Sequence, residues 1–441
     1  MNGRRMCALS ACALALALPS VAHAAKPIPD QYIVVLKDGT DAGAVAAEHR
    51  RNAGAEVLNT YGAALDGYSA RLSAGELRQV EADPRVDFVA QDQEGVVVQA
   101  QTLPAGINRI DGDLSTQLSG DGTGSTPGDV AIFDTGIQPN HPDLNVAGGV
   151  DCLNGYSGDD GTWYDAHGHG THVAGTVGAK DDLNGVVGVA PGVRLWAVRV
   201  ANPTGSATAS TQLCGIDWVT ANGPGRGIKV VNASTGLFGA ADDGNCGNTS
   251  NDPLQKAICR STAAGILWVF ASGNSAIDYV NIGGAGFDQV LTVTAMADSN
   301  GLPNVGTTSM FTCNPVYATK KNPTTAPETD DKHASFSSYA VSAADQAHTI
   351  SAPGACIYST WKGSTYGYSS GTSMAAPHAA GAAHLCILSG QCPGTPAETI
   401  QKLRADAAAY TQTNPGWGFT GDPSHPVSGR YYGYLTRPGL Y

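Results

Sequence analysis

Ser373 lies in Ser370-Gly371-Thr372-Ser373-Met374-Ala375-Ala376-Pro377-His378, a run whose side chains are too small to shield a hydroxyl. The small-residue stretch continuing to Leu385 has helical composition, with Pro377 expected in its first turn, so the hydroxyl is expected at a helix N-terminus. Partial positive charge there favours a developing oxyanion. A serine in such a run more often caps or packs a helix than attacks a carbonyl. Its reading as a nucleophile therefore requires a base, an orienting acid and an oxyanion donor elsewhere. Val130-Ala131-Ile132-Phe133-Asp134-Thr135-Gly136 reads as a buried strand entering a Gly turn, which sets Asp134 at a strand's C-terminal end, where open α/β sheets keep their sites. His169 opens another small-residue helix, and an imidazole titrating near neutral pH suits a general base. Asn274 follows an apolar strand and carries a side-chain amide that can donate to an oxyanion. Hydroxyl, imidazole, carboxylate and amide together are the parts of acyl transfer to a peptide.

The run His167-Gly168-His169-Gly170-Thr171-His172 offers two competing imidazoles. It lacks the i, i+4 spacing and the glutamate of zinc-binding helices, so metal chemistry is not expected from it. A hydrolase with a Gly-x-Ser-x-Gly elbow is excluded too, because Ser373 lies in Gly371-Thr372-Ser373-Met374-Ala375 and comes last in the order acid, base, nucleophile.

These groups need a scaffold. The 441 residues, 42% hydrophobic and 14% charged, suffice for a large core plus a smaller unit. The apolar runs at 130–133, 195–200, 228–232, 266–271 and 290–295 show little alternation, as in a parallel sheet buried on both faces, and helical stretches separate them. Ahead of them, a strand at 32–37, a helix at 41–52, a strand at 68–72, a helix at 73–82 and a strand at 86–90 follow the β-α-β-β-α-β order of a small ferredoxin-like α+β unit. Residues 309–336 turn polar and read as a surface insertion, and 430–435 read as the last strand. A net charge of -13 argues against a nucleic-acid partner.

The first 24 residues carry Arg4 and Arg5, an apolar stretch from Met6 to Leu18 and Ala22-His23-Ala24, the pattern of a secretory signal, so export to the extracellular or periplasmic space is expected, with no membrane attachment afterwards. Cys7 and Cys12 leave with it. Eight cysteines remain, an even set expected to form disulfides in an exported chain. Proximity pairs Cys246 with Cys259 and Cys386 with Cys392, and Cys152 with Cys214 and Cys313 with Cys356 complete the set.

The order Asp134, His169, Asn274, Ser373, each in its motif (Phe-Asp-Thr-Gly-Ile, His-Gly-Thr-His, Ala-Ser-Gly-Asn, Gly-Thr-Ser-Met-Ala), resembles that of the subtilisin-like serine proteases. The resemblance covers about residues 106–435 and selects His169, first in His-Gly-Thr-His, as the base. It implies a three-layer α/β sandwich with a mostly parallel central sheet, acting as a monomeric secreted endopeptidase on polypeptide substrates. It further implies that 25–101 are an inhibitory, folding-assisting propeptide removed by the enzyme, that 102–441 are the catalytic domain, and that 1–24 are the signal.

Ser234-Thr235-Gly236 and Ala271-Ser272-Gly273 stand where the family carries the walls of its first specificity pocket, with Thr235 replacing a usual apolar residue. No carboxylate lies in these segments, which implies broad cleavage with apolar preference; a narrower processing protease and a non-catalytic binding module are the alternatives. Calcium is the one cofactor expected, on Asp143 of His-Pro-Asp-Leu and Asp182 of the loop 180–188, since hard oxygen donors fit the ion. Asp159, Asp160 and Asp165 read as a second acidic cluster or a solvated loop.

Overall fold

The computed structural model describes residues 26–94, 101–153, 162–238, 241–303, 310–311 and 327–441. The expected signal, Asp159, Asp160, Cys313, residues 95–100 and most of the 309–336 insertion lie outside the described residues. The chain divides into two compact units, Met1–Val98 and Gln99–Tyr441.

The first unit runs β1 (Lys26–Leu36), α1 (Ala42–Asn52), β2 (Glu56–Tyr61), β3 (Gly67–Arg71), α2 (Ala74–Glu81) and β4 (Val86–Glu94). Its sheet has the order β2-β3-β1-β4 with every pair antiparallel, the ferredoxin-like arrangement. Asp41 caps α1 through the Ala44 N–H, and Ser73 with Glu76 forms a reciprocal capping box on α2. Val34, Leu36, Val45, Tyr68, Leu72 and Val80 make its core. The sequence assigned no stretch to β2, and the structure supplies the reason: this edge strand is exposed or half-exposed along its length, so it has no hydrophobic alternation to detect.

The second unit opens with α3 (Ala105–Arg109), β5 (Asp129–Asp134), β6 (Val146–Asp151), α4 (His169–Gly178), β7 (Arg194–Arg199), α5 (Ala209–Arg226) and β8 (Ile228–Ala233). It continues through β9 (Leu237–Phe238), α6 (Pro253–Ala263), β10 (Leu267–Ala271), β11 (Ile282–Gly283), β12 (Leu291–Ala297), β13 (Met310–Phe311), β14 (Glu328–Thr329) and β15 (Lys332–His333). The last elements are α7 (Ala343–Gln346), β16 (Thr349–Pro353), β17 (Ile357–Trp361), β18 (Thr365–Ser369), α8 (Thr372–Leu388) and α9 (Pro396–Thr413). The strands β6-β7-β5-β8-β10-β12-β16 pair in that order, all parallel, and β15 adds a short antiparallel contact to β12.

Successive residues of each strand serve opposite faces. Val130, Ile132, Val230, Leu267, Val269 and Val293 pack toward Val173 and Val177 of α4, Ala376 and Ala380 of α8 and Leu403 of α9. Ala131, Phe133, Val231, Trp268 and Phe270 pack toward Ile216 and Val219 of α5 and Ile258 of α6. Helices therefore cover both sides of the sheet, and the fold is the three-layer α/β sandwich.

Two strands, β6 and β16, escape a hydrophobic scan. Gly148-Gly149 interrupts the first, and the second reads Thr-Ile-Ser-Ala-Pro. The expected last strand at 430–435 is corrected. Gly433 turns to φ +78, which breaks any ladder there, and only isolated bridges remain, Arg430 to Val427, Tyr431 to Ala340 and Leu435 to Ser351.

Cys152–Cys214, Cys246–Cys259 and Cys386–Cys392 are bonded as expected. Cys356 is disulfide-bonded as well. The first bridge closes a separation of 62 residues and the last one of 6. Chain entropy then assigns about 4 kcal/mol to the former and about 2 kcal/mol to the latter. Replacing both cysteines of each pair by serine should lower the denaturant midpoint about twice as far for Cys152/Cys214; equal losses would show that loop entropy does not govern these bridges.

Candidate active site

The C-terminal ends of β5, β8 and β10 converge on one edge of the sheet, and the candidate residues sit at those ends or at the first turns of α4 and α8. Asp134 ends β5 and is fully buried. Its Oδ1 lies 2.7 Å from Nδ1 of His169, the first residue of α4, and also accepts the Thr135 N–H at 2.7 Å. The approach is close because residue 170 is glycine: a Cβ there would stand 2.1 Å from the Gly136 carbonyl oxygen.

Burial pulls the His169 pKa down, but the charge of Asp134 and its hydrogen bond outweigh that effect and hold it above the ordinary imidazole value. His169 keeps 24% of its side chain exposed, so its imidazole reaches solvent. The competing histidines are engaged elsewhere. His172 is buried with Nε2 at 3.0 and 3.1 Å from the Ile357 and Gly367 carbonyls, and burial pushes its pKa down to about 3. His167 Nδ1 accepts the His169 N–H at 3.3 Å.

Asp165 does not lie in a solvated loop, which corrects that reading. It is 2% exposed and its carboxylate accepts five donors: the N–H groups of His167, Gly168 and Thr171 and the hydroxyls of Thr135 and Thr171. Thr135 in turn accepts the Gly170 N–H at 3.0 Å. These bonds tie the turn after β5 to the turn that carries His169. No periodicity marks such a residue, and the only hint in the sequence is an Asp four positions before the histidine.

Ser373 is the second residue of α8. Pro377 lies inside this helix, beyond the first turn in which the sequence placed it. Proline has no N–H, so the usual i to i−4 bond to the Ser373 carbonyl cannot form. The freed carbonyl accepts instead from Ser234 Oγ at 2.8 Å, and Ser373 Oγ donates to the Ser234 carbonyl at 3.2 Å. Asn232 Nδ2 orients the Ser234 hydroxyl from 2.9 Å. The end of β8 and the start of α8 are thus pinned together.

Asn274 is held with equal definition. Its Oδ1 accepts the Thr372 N–H at 2.8 Å and the Thr372 hydroxyl at 3.0 Å, while that hydroxyl accepts the Gly273 N–H at 3.0 Å. A backbone N–H can only donate, so the side-chain oxygen must face Thr372, and Nδ2 is turned the other way as a donor. The Ser373 N–H, in the first turn of α8, has no intrahelical acceptor. Among the described residues, no hydrogen bond joins His169 Nε2 to Ser373 Oγ, whose hydroxyl donates to the Ser234 carbonyl.

Beside Ser373 lies a pocket of about 130 Å³ lined by Ser234, Thr235, Gly236, Ala271, Gly273, Asn274, Ser275, Ile282, Thr372 and Ser373. None of the described residues lining it is acidic. Ser272, from the same sequence segment, is fully buried with its hydroxyl on the Ser338 carbonyl at 3.1 Å, so it supports the wall and does not line it. Ile282 narrows the pocket: a Cβ on Gly273 would meet its Cδ1 at 2.6 Å, and Gly273 also adopts φ +99. Sequence reasoning missed Ile282, which lies in a stretch without a motif.

The loop 180–188 gathers oxygen atoms around Asp143 and Gln101. Asp143 is 3% exposed, its Oδ2 accepts the Val186 N–H at 2.9 Å, its Oδ1 is buried without a partner, and burial above all pushes its pKa up to about 7. The carbonyls of Lys180, Asn184 and Val186 converge on the Gln101 amide at 2.8, 3.3 and 3.3 Å, and Gln101 Oε1 is likewise buried without a partner. Three carbonyls, an amide oxygen and a carboxylate oxygen form a donor set of hard oxygens, which fits Ca²⁺. Asp182 is exposed and caps its own turn through the Asn184 N–H at 3.1 Å, so Gln101 fits better than the acid that the sequence singled out.

Both units of the chain are similar to known proteins. Residues 129–423 match a family model described as the subtilase family, and residues 31–95 match one described as peptidase inhibitor I9. The chain is 37% identical over 288 residues to subtilisin DY of Bacillus licheniformis, covering 65% of this chain and 85% of that protein. It is 33% identical over 350 residues to subtilisin E of Bacillus subtilis strain 168, covering 78% and 76%. Among solved structures, a cold adapted subtilisin-like serine proteinase superposes with a TM-score of 0.53 at 24% identity, covering 76% of this chain and 98% of that one.

Proposed function

The chain belongs to the subtilase family of serine proteases, and from that premise we propose a residue-level mechanism in which Ser373 is the nucleophile, His169 the general base, Asp134 its orienting partner and Asn274 the oxyanion donor. The observation that carries this assignment is the 2.7 Å bond from His169 Nδ1 to the buried Asp134 carboxylate. On substrate binding, the Ser373 hydroxyl leaves the Ser234 carbonyl, passes its proton to His169 Nε2 and attacks the scissile carbonyl. Asp134 accepts from Nδ1, fixing the tautomer and stabilising the imidazolium without taking its proton. The tetrahedral oxyanion receives Asn274 Nδ2 and the Ser373 N–H, donors fixed before the charge develops. His169 then protonates the leaving amine, and water repeats the sequence on the acyl-enzyme.

The small pocket floored by Gly236, Gly273 and Ile282 favours a modest apolar side chain at the position before the cut, and broad specificity follows from main-chain pairing of an extended peptide. The inhibitor-type unit acts as an intramolecular propeptide, and the first 24 residues direct export. Gln101 bonds through both its backbone and its side chain to the loop 180–188, so the self-cleavage site lies before Gln101, one residue earlier than the boundary read from sequence. That loop, with Gln101 and Asp143, holds a structural Ca²⁺.

Three outcomes check this reading. A base with a raised pKa must lose its proton to act, so the acid limb of kcat/KM should fall above pH 6.5. Asp134→Asn should move that limb to lower pH and reduce kcat by roughly 10⁴-fold; an unmoved limb would detach Asp134 from the base. Ser373→Ala, expressed in a host without similar proteases, should accumulate with the inhibitor unit attached, whereas intact-mass analysis of the active chain should show it starting at Gln101. Ca²⁺ at about a hundred times its Kd should stabilise the protein by about 2.7 kcal/mol. That gain should vanish in Asp143→Ala, and its survival there would move the ion elsewhere.

A further inference from the structure

At the opposite end of the sheet from the catalytic groups, three side chains that the mechanism leaves unused meet where β12 and β16 begin. Asp288 lies in the loop before β12, Asp345 in α7, and His348 in the turn leading into β16. One donor atom from each lies within 4.8 Å of the other two. His348 is 3% exposed, and neither of its ring nitrogens has a hydrogen-bond partner. Its Nε2 stands 3.8 Å from Asp288 Oδ1 and 3.9 Å from Asp345 Oδ1, distances too long for hydrogen bonds. A buried imidazole that makes only two long ion pairs and no hydrogen bond leaves its ring nitrogens poorly satisfied, and a ligand between Nε2 and the two carboxylates would satisfy them.

The spacing identifies that ligand. Two donors each about 2.1 Å from one Zn²⁺ stand roughly 3.4 Å apart in a tetrahedral site, so the two pairs that His348 makes, at 3.8 and 3.9 Å, need to close by only about half an ångström. The cluster is also pre-set. Ser342 Oγ donates to Asp345 Oδ2 at 2.7 Å, which leaves Oδ1 turned to His348. The Asp345 carbonyl accepts from the Tyr279 and Thr349 hydroxyls at 2.8 and 2.7 Å, and the Thr292 N–H donates to the His348 carbonyl at 2.9 Å. The neighbouring Arg404 is engaged with the Gln346 and Thr349 carbonyls. Asp288, the exposed member, leaves a path by which an ion and a water ligand can enter.

We propose that Nε2 of His348 and the Oδ1 atoms of Asp345 and Asp288 form a structural site for a divalent transition metal of the Zn²⁺ class, with water as the fourth ligand. The imidazole discriminates against Ca²⁺ and Mg²⁺, which prefer all-oxygen sets, and the absence of thiolate discriminates against Cu(I). The site shares no residue with the loop 180–188. A bound ion joins the entries of β12 and β16, adjacent parallel strands in register from Thr292 and Thr349, and so resists fraying at that edge of the sheet.

The test uses the full chain carrying Ser373→Ala, which suppresses self-digestion, kept in excess Ca²⁺ and titrated with Co²⁺ and then Zn²⁺. One equivalent of Co²⁺ should give the intense visible absorption of a tetrahedral site, Zn²⁺ should displace it, and Zn²⁺ should raise the thermal midpoint. Adding His348→Gln, or Asp288→Asn at the exposed ligand where folding is not at risk, should abolish both signals, whereas Asp143→Asn should leave them intact. Absence of the absorption and of the midpoint shift, or their persistence in both the His348 and Asp288 variants, would overturn the site and leave the three groups as a loose ion pair.

Discussion

Proline at position 377 leaves the carbonyl of Ser373 without a helical donor, and the way the fold meets that need organises the catalytic edge. Ser234 fills the gap from the end of β8, and the same two residues exchange a second bond through the Ser373 hydroxyl. One residue earlier, Thr372 ties the start of α8 to Asn274 beyond β10. The proposed nucleophile, the proposed oxyanion donor and the pocket wall therefore share one anchor. The helix behind them is buried almost throughout, and its small residues allow this approach: a Cβ on Gly381 would stand 2.6 Å from that of Val189. A buried helix fixed by packing along its body and by hydrogen bonds at its tip cannot drift, which is the preorganisation that oxyanion stabilisation requires.

The second half of the site is electrostatic. Asp134 is removed from water at the end of a strand buried on both faces, and its charge is sustained by His169 and the Thr135 N–H. A carboxylate so placed raises the basicity of its imidazole more than an exposed one could, because solvent screens it less. Asp165 extends the arrangement outward. By collecting five donors from both turns, it sets the path of the backbone that presents His169 without approaching the reacting atoms itself.

Two groups of buried polar atoms without hydrogen bonds are placed so that an ion could join them. At the loop 180–188 they are oxygens only, on Asp143 and Gln101, while at the start of β16 they belong to an imidazole facing two carboxylates. Donor chemistry separates the two. Hard oxygens suit an alkaline-earth ion, whereas a nitrogen among oxygens suits a transition metal. Both lie outside the catalytic cluster, so each acts on the scaffold that holds it.

Much of this protein could be read from the sequence because its signals are local. Unbroken apolar runs marked five of the seven parallel strands, small-residue runs marked α4 and α8, and the motifs around Asp134, His169, Asn274 and Ser373 supplied both the chemistry and its order along the chain. Where the local signal was weak, the reading failed: at the exposed β2, at the glycine-interrupted β6, and at 430–435, where Gly433 breaks the ladder. Tertiary structure alone decided which distant groups complete each other. Ser234 meets a carbonyl 139 positions away, Gln101 meets a loop some 80 positions on, and His348 faces an aspartate from another loop. Periodicity and capping reach only a few residues along the chain, but a free carbonyl or an orphaned imidazole is satisfied by whatever the closed fold brings within about 3 Å, and that becomes fixed only when the sheet is assembled.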